Sequence, residues 1–92
     1  MELISIDNVN NHLLELPEWR LENESLIKEF KFEDYMASIT FVNRLAEKAE
    51  EYNHHPDLEI GWCRVVVTFT SHDSGGVTDL DIIMVKITED LF

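Results

Sequence analysis

The 92-residue chain is poor in cysteine and contains no long apolar run. Cys63 is its single cysteine, so neither an intramolecular disulfide nor a multi-cysteine metal cluster can form, and a reducing compartment is expected. The start of the chain lacks the basic residues and apolar core of a secretion signal, and no segment reaches the length that crosses a membrane. These absences predict a cytoplasmic protein with no membrane partner.

Positive charge is also scarce. Seven Lys and Arg residues stand against nineteen Asp and Glu residues, which gives a formal net charge of −12. Such a surface repels polyanions, so nucleic acid is not expected as a direct partner. Apolar residues make up 45% of the chain, enough for one core, and we assign residues 1–92 to a single domain. A domain of this size has limited stability alone, which favours self-association.

Local patterns predict a helix and two strands in the first third of the chain. Asp7 is expected to cap a short helix that ends near Leu14. Residues 19–21 resemble a short strand, and a second strand follows in which Phe30 and Phe32 share one face. Together they predict an antiparallel hairpin.

A long helix is predicted from Asp34 to about Tyr52, because the apolar residues there recur every three or four positions. The predicted apolar stripe consists of Tyr35, Ile39, Val42, Ala46 and Ala49. Several carboxylates occupy the last two turns, near the negative end of the helix dipole, where acids are disfavoured. This local cost favours a functional role for the end of the helix.

The second half of the chain repeats the strand–strand–helix order. Strands are predicted at 57–60 and 65–70, and Thr78 is a good N-cap for a helix that reaches about Leu91. Its predicted core stripe consists of Leu80, Ile83, Met84, Ile87 and Leu91, whereas Ile82, Val85 and Phe92 lie off the stripe and require a second surface. The order α-β-β-α-β-β-α predicts an α+β two-layer sandwich, with a four-stranded antiparallel sheet and helices on one face.

Three histidines occupy positions that favour a functional role. His54 and His55 follow the long helix, and His72 follows the strongest predicted strand. If the two hairpins pair in one sheet, these imidazoles can converge, and imidazoles both give and accept protons near neutral pH. Glu50 and Asp81 could each orient an imidazole, with an ordinary surface role as the alternative.

Other chemistries have weaker support. There is no G-x-S-x-G motif, Cys63 is expected to pack in the interior, and Gly75-Gly76 is too short for a phosphate loop. Adjacent His54 and His55 diverge in most backbones, so no metal site is predicted. His12 has no partner in the pattern and is assigned to the surface.

One spacing pattern is specific. It consists of Glu50, three residues, His54-His55-Pro56, five residues, Trp62, nine residues, His72, eight residues and Asp81. This pattern resembles the pterin-4a-carbinolamine dehydratase family, also called the dimerization cofactor family. The chain departs from the family at Trp62, where tyrosine is frequent, at Ser71, where threonine is usual, and at Val85, where alanine is common.

The resemblance implies dehydration of a 4a-hydroxytetrahydropterin to the quinonoid dihydropterin, without a metal or other cofactor. It implies acid-base roles for His54 and His72, substrate positioning by His55, and supporting roles for Glu50 and Asp81. The substrate-binding residues that it implies are Asn53, His54, His55, Pro56, Thr70, Ser71, His72 and Asp73.

The resemblance also implies a homo-oligomer, a dimer or tetramer, that assembles through the last helix. It further implies a functional link to an aromatic amino acid hydroxylase. Two other classes stay open, namely a non-catalytic dimerization module that co-regulates transcription and a small metalloprotein.

Overall fold

The computed structural model describes residues 2–92 and confirms the predicted order of elements. The elements are α1 (Ile6–Leu13), β1 (Arg20–Glu22), β2 (Ser25–Lys31), α2 (Tyr35–Glu51), β3 (Asp57–Gly61), β4 (Arg64–Phe69), a single 3₁₀ turn (His72–Ser74) and α3 (Asp79–Leu91). No helix within residues 2–92 is long and apolar enough to cross a membrane.

The four strands form one antiparallel sheet in the order β1-β2-β4-β3. The central strand β4 alternates strictly, with Val65, Val67 and Phe69 buried and the residues between them half-buried. This period-two pattern places one face of the sheet against the helices. The α+β fold predicted from the sequence is therefore confirmed.

The buried face of α2 differs from the predicted stripe. Its buried residues are Ser38, Phe41, Leu45 and Ala49. Tyr35, which opens the predicted stripe, is 47% exposed. The two stripes have similar spacing and share Ala49, and Val42 of the predicted stripe packs half-buried against the core. The observed stripe buries the larger Phe41 and Leu45 side chains, which removes more apolar surface from water.

The face of α3 was predicted correctly only in part, since Met84 of the predicted stripe is buried and Ile87 and Leu91 pack against the core. Ile82 and Val85 are buried in the core, whereas Ile83, which was assigned to the core stripe, is 44% exposed. The reason is that α3 contacts both α2 and β4, so it requires a wide buried arc rather than one stripe. The second surface predicted for Ile82 and Val85 thus lies within the chain. Phe92 is exposed on one side, yet its ring packs 5.0 Å from that of Phe30.

A buried lysine lies on the helix-facing side of β2. Lys28 shares this face with Phe30 and is only 5% exposed. Its Nζ lies 2.5 Å from Oε1 of Glu89 and 3.1 Å from Oε2 of Glu18. The Nε1–H of Trp19 donates to the same Glu89 oxygen at 2.7 Å. These contacts compensate the cost of burying the ammonium group.

Two smaller predictions concern single residues. The N-cap of α1 is Ser5, whose side chain accepts from the backbone N–H of Asn8 at 3.2 Å, and not Asp7, which lies in the first turn. Cys63 is buried in the tight connection between β3 and β4, as its predicted packing role requires.

Candidate active site

A cleft of about 410 Å³ opens at one edge of the sheet. Its lining residues are Asn53, His54, His55, Thr70, Ser71, His72, Asp73, Ser74, Thr78 and Leu80. The antiparallel register pairs Asp57 with Thr68, so the segment before β3 meets the segment after β4. This topology brings His54, His55 and His72 to one cleft although eighteen positions separate His54 from His72 in the sequence.

The end of α2 fixes the two adjacent histidines. Asn53 adopts a left-handed conformation with φ of 50°, and its N–H donates to the carbonyl of Glu50 at 3.2 Å. The N–H of His54 donates to the carbonyl of Ala49 at 3.0 Å. These paired bonds form a Schellman motif, in which asparagine is one of the residues that tolerate the left-handed position. The chain therefore leaves the helix in a defined direction at His54.

His54 is the most enclosed of the three imidazoles, with a side chain that is 13% exposed. Its Nε2 lies 2.5 Å from Oδ1 of Asp81, and its ring stacks on that of Phe69 at a centroid distance of 6.1 Å. Packing and a hydrogen bond together hold the ring in one orientation. Nδ1 is then the ring nitrogen left to exchange a proton with a ligand in the cleft.

Asp81 is fully buried behind His54. Its Oδ2 accepts from the hydroxyl of Ser71 at 2.7 Å and from the backbone N–H of Thr78 at 2.9 Å. Because the carboxylate accepts on both oxygens, Nε2 of His54 is assigned as the donor in the third bond. This assignment gives the neutral imidazole a lone pair on Nδ1.

The other two imidazoles lie at the mouth of the cleft. Nε2 of His55 contacts a carboxylate oxygen of Glu50, and both side chains are exposed. His72 is 77% exposed, with Nε2 4.0 Å from Oδ2 of Asp57. Exposed pairs of this kind are screened by water and contribute little to stability. Because both imidazole rings are exposed, they are accessible to solvent and to a ligand.

Some predicted site residues lie outside the cleft lining, and some lining residues were missed. Glu50 contacts His55 from the rim, Asp81 lies behind the cleft, and Pro56 is not among the lining residues. Thr78 and Leu80 line the cleft, although only a capping role and a core role were predicted for them. An N-cap threonine followed three residues later by an acid is the pattern of a capping box. Because Asp81 was already a predicted site residue, this spacing could have predicted that Thr78 lies next to the site.

Ser74 also lines the cleft and was not predicted, since it lies in the 3₁₀ turn without a recognisable motif. Within residues 2–92, no group of three His, Cys, Asp or Glu side chains is arranged to hold a metal ion. The polar side chains that line the cleft carry imidazole, hydroxyl, amide and carboxylate groups.

Comparison with known proteins identifies the family. The family model described as pterin 4 alpha carbinolamine dehydratase matches residues 2–91. The chain belongs to the pterin-4a-carbinolamine dehydratase family. A family member from Thermosynechococcus vestitus, named "Putative pterin-4-alpha-carbinolamine dehydratase", is 43% identical over 98% of this chain and 95% of its own. One with the same name from Metallosphaera sedula is 43% identical over 99% and 95%.

One solved structure agrees with this family assignment, and a second shares the fold. The chain is similar to a transcriptional coactivator/pterin dehydratase from Brucella melitensis, with a TM-score of 0.94, 30% identity and coverage of 98% of both chains. It also shares its fold with a pterin dehydratase-like protein described as a RuBisCO assembly factor of the alpha-carboxysome. That match has a TM-score of 0.67, 22% identity and coverage of 79% of this chain and 84% of the other.

Proposed function

We propose that the protein is a hydro-lyase that removes water from a 4a-hydroxytetrahydropterin, such as the biopterin form, to give the quinonoid dihydropterin. The observation that carries the proposal is the cleft lined by three imidazoles, one of which is bound through Nε2 to a buried carboxylate. Family membership supplies the substrate class.

The reaction is an elimination across the C4a–N5 bond of the pterin. The C4a–O bond breaks, and the departing oxygen keeps the bonding pair, takes up a proton and leaves as water. The N5–H bond also breaks, and its electron pair forms the new C4a=N5 bond. One proton is delivered and one is removed, so a general acid and a general base suffice and no electrons are exchanged with a cofactor.

The geometry supports different roles for the histidines. His54 is the base, because its Nε2–H is bound to Asp81 and its Nδ1 presents the lone pair that accepts the N5 proton. His72 is the acid that protonates the 4a-hydroxyl, since its exposed ring can regain a proton from solvent. His55, held by Glu50, positions the substrate.

The remaining contacts follow from the lining of the cleft. Asn53, Thr70 and Asp73 offer polar groups to the edge of the pterin, while Leu80 supplies an apolar surface. Among the residues that the structure describes, no Lys or Arg lines the cleft. This composition suits a largely uncharged heterocycle, which the net charge of −12 does not repel. We infer that an aromatic amino acid hydroxylase, which forms such carbinolamines, supplies the substrate.

A stopped-flow assay of carbinolamine dehydration, compared with the spontaneous rate, tests the proposal. His54→Ala and His72→Ala should each lower the catalysed rate by about 10²–10⁴-fold while the domain stays folded. His12→Ala, a change on α1 outside the cleft lining, is the matched control and should keep the wild-type rate. Chelation by EDTA should leave the rate unchanged, whereas loss of activity with rescue by zinc would favour the metalloprotein.

A non-catalytic interaction module is the second candidate, because the solved relative at 30% identity is described as a coactivator as well as a dehydratase. The two functions make different demands on the cleft. A module that only binds a partner protein would keep its function in His54→Ala and His72→Ala. If the wild-type protein does not accelerate dehydration above the spontaneous rate, the proposed enzymatic function is refuted and the interaction module becomes the favoured function.

We also propose that the chain forms a homo-oligomer through α3. Since Ile82 and Val85 are buried in the core, the apolar side chain that α3 offers to a second copy is Ile83. Full burial of an exposed side chain of this kind gains about 1.5–3 kcal/mol, and Ile83, which is 44% exposed, can contribute only a part of this. Sedimentation equilibrium at micromolar concentration should give a mass that is a multiple of the monomer mass of 10.8 kDa. Ile83→Glu should shift the measured mass toward that of the monomer. A wild-type mass of 10.8 kDa would refute self-association.

A further inference from the structure

We propose that Thr78 and Ser71 are positioning residues for the dehydration, and that they act through Asp81 on the tautomer of His54. This inference rests on the proposed function. Neither residue takes part in the proton transfers. Their part is to make the N-terminus of α3 and the acid-base imidazole one hydrogen-bonded unit.

The two oxygens of the Asp81 carboxylate have different partners. Oδ1 lies against the imidazole of His54, whereas Oδ2 accepts hydrogen bonds from the hydroxyl of Ser71 and the backbone N–H of Thr78. A carboxylate is planar, so groups that fix Oδ2 also fix the direction in which Oδ1 points. The orientation of His54 thus depends on bonds made at the opposite oxygen.

The hydroxyl of Thr78 completes this arrangement. Its Oγ1 lies 2.9 Å from Oγ of Ser71 and 3.4 Å from Oδ2 of Asp81. Ser71 has one hydroxyl proton, which it donates to Asp81 at 2.7 Å. The proton shared between the two hydroxyls must then come from Thr78. A directed chain results, in which Thr78 donates to Ser71, Ser71 donates to Asp81, and Asp81 accepts from His54.

Burial makes this chain effective. Thr78 and Asp81 are both fully buried, and Ser71 is partly buried, so water competes poorly for their hydrogen bonds. Thr78 is also the N-cap of α3 and forms a capping box with Asp81. The capping box therefore ties the catalytic imidazole to a rigid helix rather than to a loop. Ser71, for which substrate contact was predicted, lines the cleft, and its hydroxyl donates to Asp81.

The first test separates kcat from KM. Thr78→Val removes the hydroxyl but keeps the shape of the side chain, and it should lower kcat about five- to tenfold with little change in KM. Thr78→Ser restores the hydroxyl and should recover most of kcat. Ser5→Ala removes the N-cap of α1, so it controls for the loss of a helix cap alone and should leave kcat unchanged.

The second test is independent of activity. In protein with ¹⁵N-labelled histidine, the wild-type His54 should show Nε2 protonated and Nδ1 unprotonated when the ring is neutral. Thr78→Val should produce a mixture of tautomers. If Thr78→Val does not fold, Ser71→Ala removes the next donor in the chain and should give the same two effects.

The outcomes are distinguishable. If the wild-type protein does not dehydrate the carbinolamine, the proposed function fails, and the tautomer measurement still tests the chain of hydrogen bonds. If a folded Thr78→Val or Ser71→Ala protein retains wild-type kcat and a single His54 tautomer, the positioning role is overturned. A rise in KM alone would also overturn it, since that result indicates direct substrate contact.

Discussion

Asp81→Asn should abolish most of the catalysis by reversing the tautomer of His54. The asparagine carbonyl is expected to take the place of Oδ2, where Ser71 and the backbone of Thr78 both donate. The amide nitrogen then faces Nε2 of His54, 2.5 Å away in the wild-type protein. Two donors cannot share that contact, so Nε2 must become the acceptor and Nδ1 must carry the proton.

The size of the effect follows from the role of Nδ1. An imidazole with a protonated Nδ1 cannot accept the N5 proton of the pterin, and a general base contributes about 10²–10⁴-fold to the rate. In serine proteases, the corresponding replacement of the buried aspartate lowers kcat by about 10⁴-fold, for the same tautomeric reason. We therefore expect kcat to fall by at least about 10²-fold. The donors to Oδ2 keep an acceptor, so the protein should remain folded.

Stopped-flow dehydration kinetics measure this effect, with circular dichroism as the test of folding. Asp79→Asn is the matched control, because Asp79 is an exposed acid in the same first turn of α3 and its replacement removes the same charge. The control should retain the wild-type kcat. A folded Asp81→Asn protein whose kcat stays within about threefold of wild type would show that the reasoning from the tautomer is wrong.

Two further predictions concern stability and pH. Glu89→Ala should lower the free energy of unfolding by about 2–4 kcal/mol, because it leaves the buried ammonium of Lys28 without its closest partner, whereas Lys28→Met should cost less than about 1 kcal/mol. Urea denaturation measures both, and equal costs would contradict this asymmetry. On the open face of the sheet, the hydrogen bond from Arg64 lowers the pKa of Glu29 below its usual value of 4.5. This ion pair stabilises the folded state at pH values above the usual pKa of glutamate, and its contribution is lost as the pH falls through the lowered pKa of Glu29. Arg64→Met should therefore raise the pKa of Glu29 in an NMR titration. An unchanged pKa would count against the assigned cause.

Local sequence patterns were enough to predict the secondary structure. Periods of two and of three to four distinguish strands from helices because side chains alternate across a strand and wrap around a helix. Asp34 and Thr78 were placed correctly at the starts of α2 and α3, since an N-cap acts on the backbone within its own helical turn. The spacing from Glu50 to Asp81 identified the family without any knowledge of the fold.

The cleft was only partly predictable. His54, His55 and His72 were singled out by their positions at the ends of elements, and the expectation that they meet depended on the pairing of two hairpins. The chain of bonds from Thr78 through Ser71 to Asp81 could not be predicted. Each hydroxyl has several partners within reach in the unfolded chain, and the packing of α3 against the sheet selects among them.

The faces of the helices and the burial of Lys28 were decided by tertiary structure alone. A helix that is apolar over a wide arc, such as α3, can present Ile83 or Ile82 to the core with similar local energy. A lysine is normally expected at the surface, and Lys28 is buried here because Glu89, sixty-one positions away, supplies a half-buried carboxylate as its partner. The elements could be predicted because secondary structure depends on interactions over a few residues, and the family could be identified because the spacing from Glu50 to Asp81 is visible in the sequence. The tertiary structure determined which side chains are buried and how His54 is held, because those depend on contacts between distant segments.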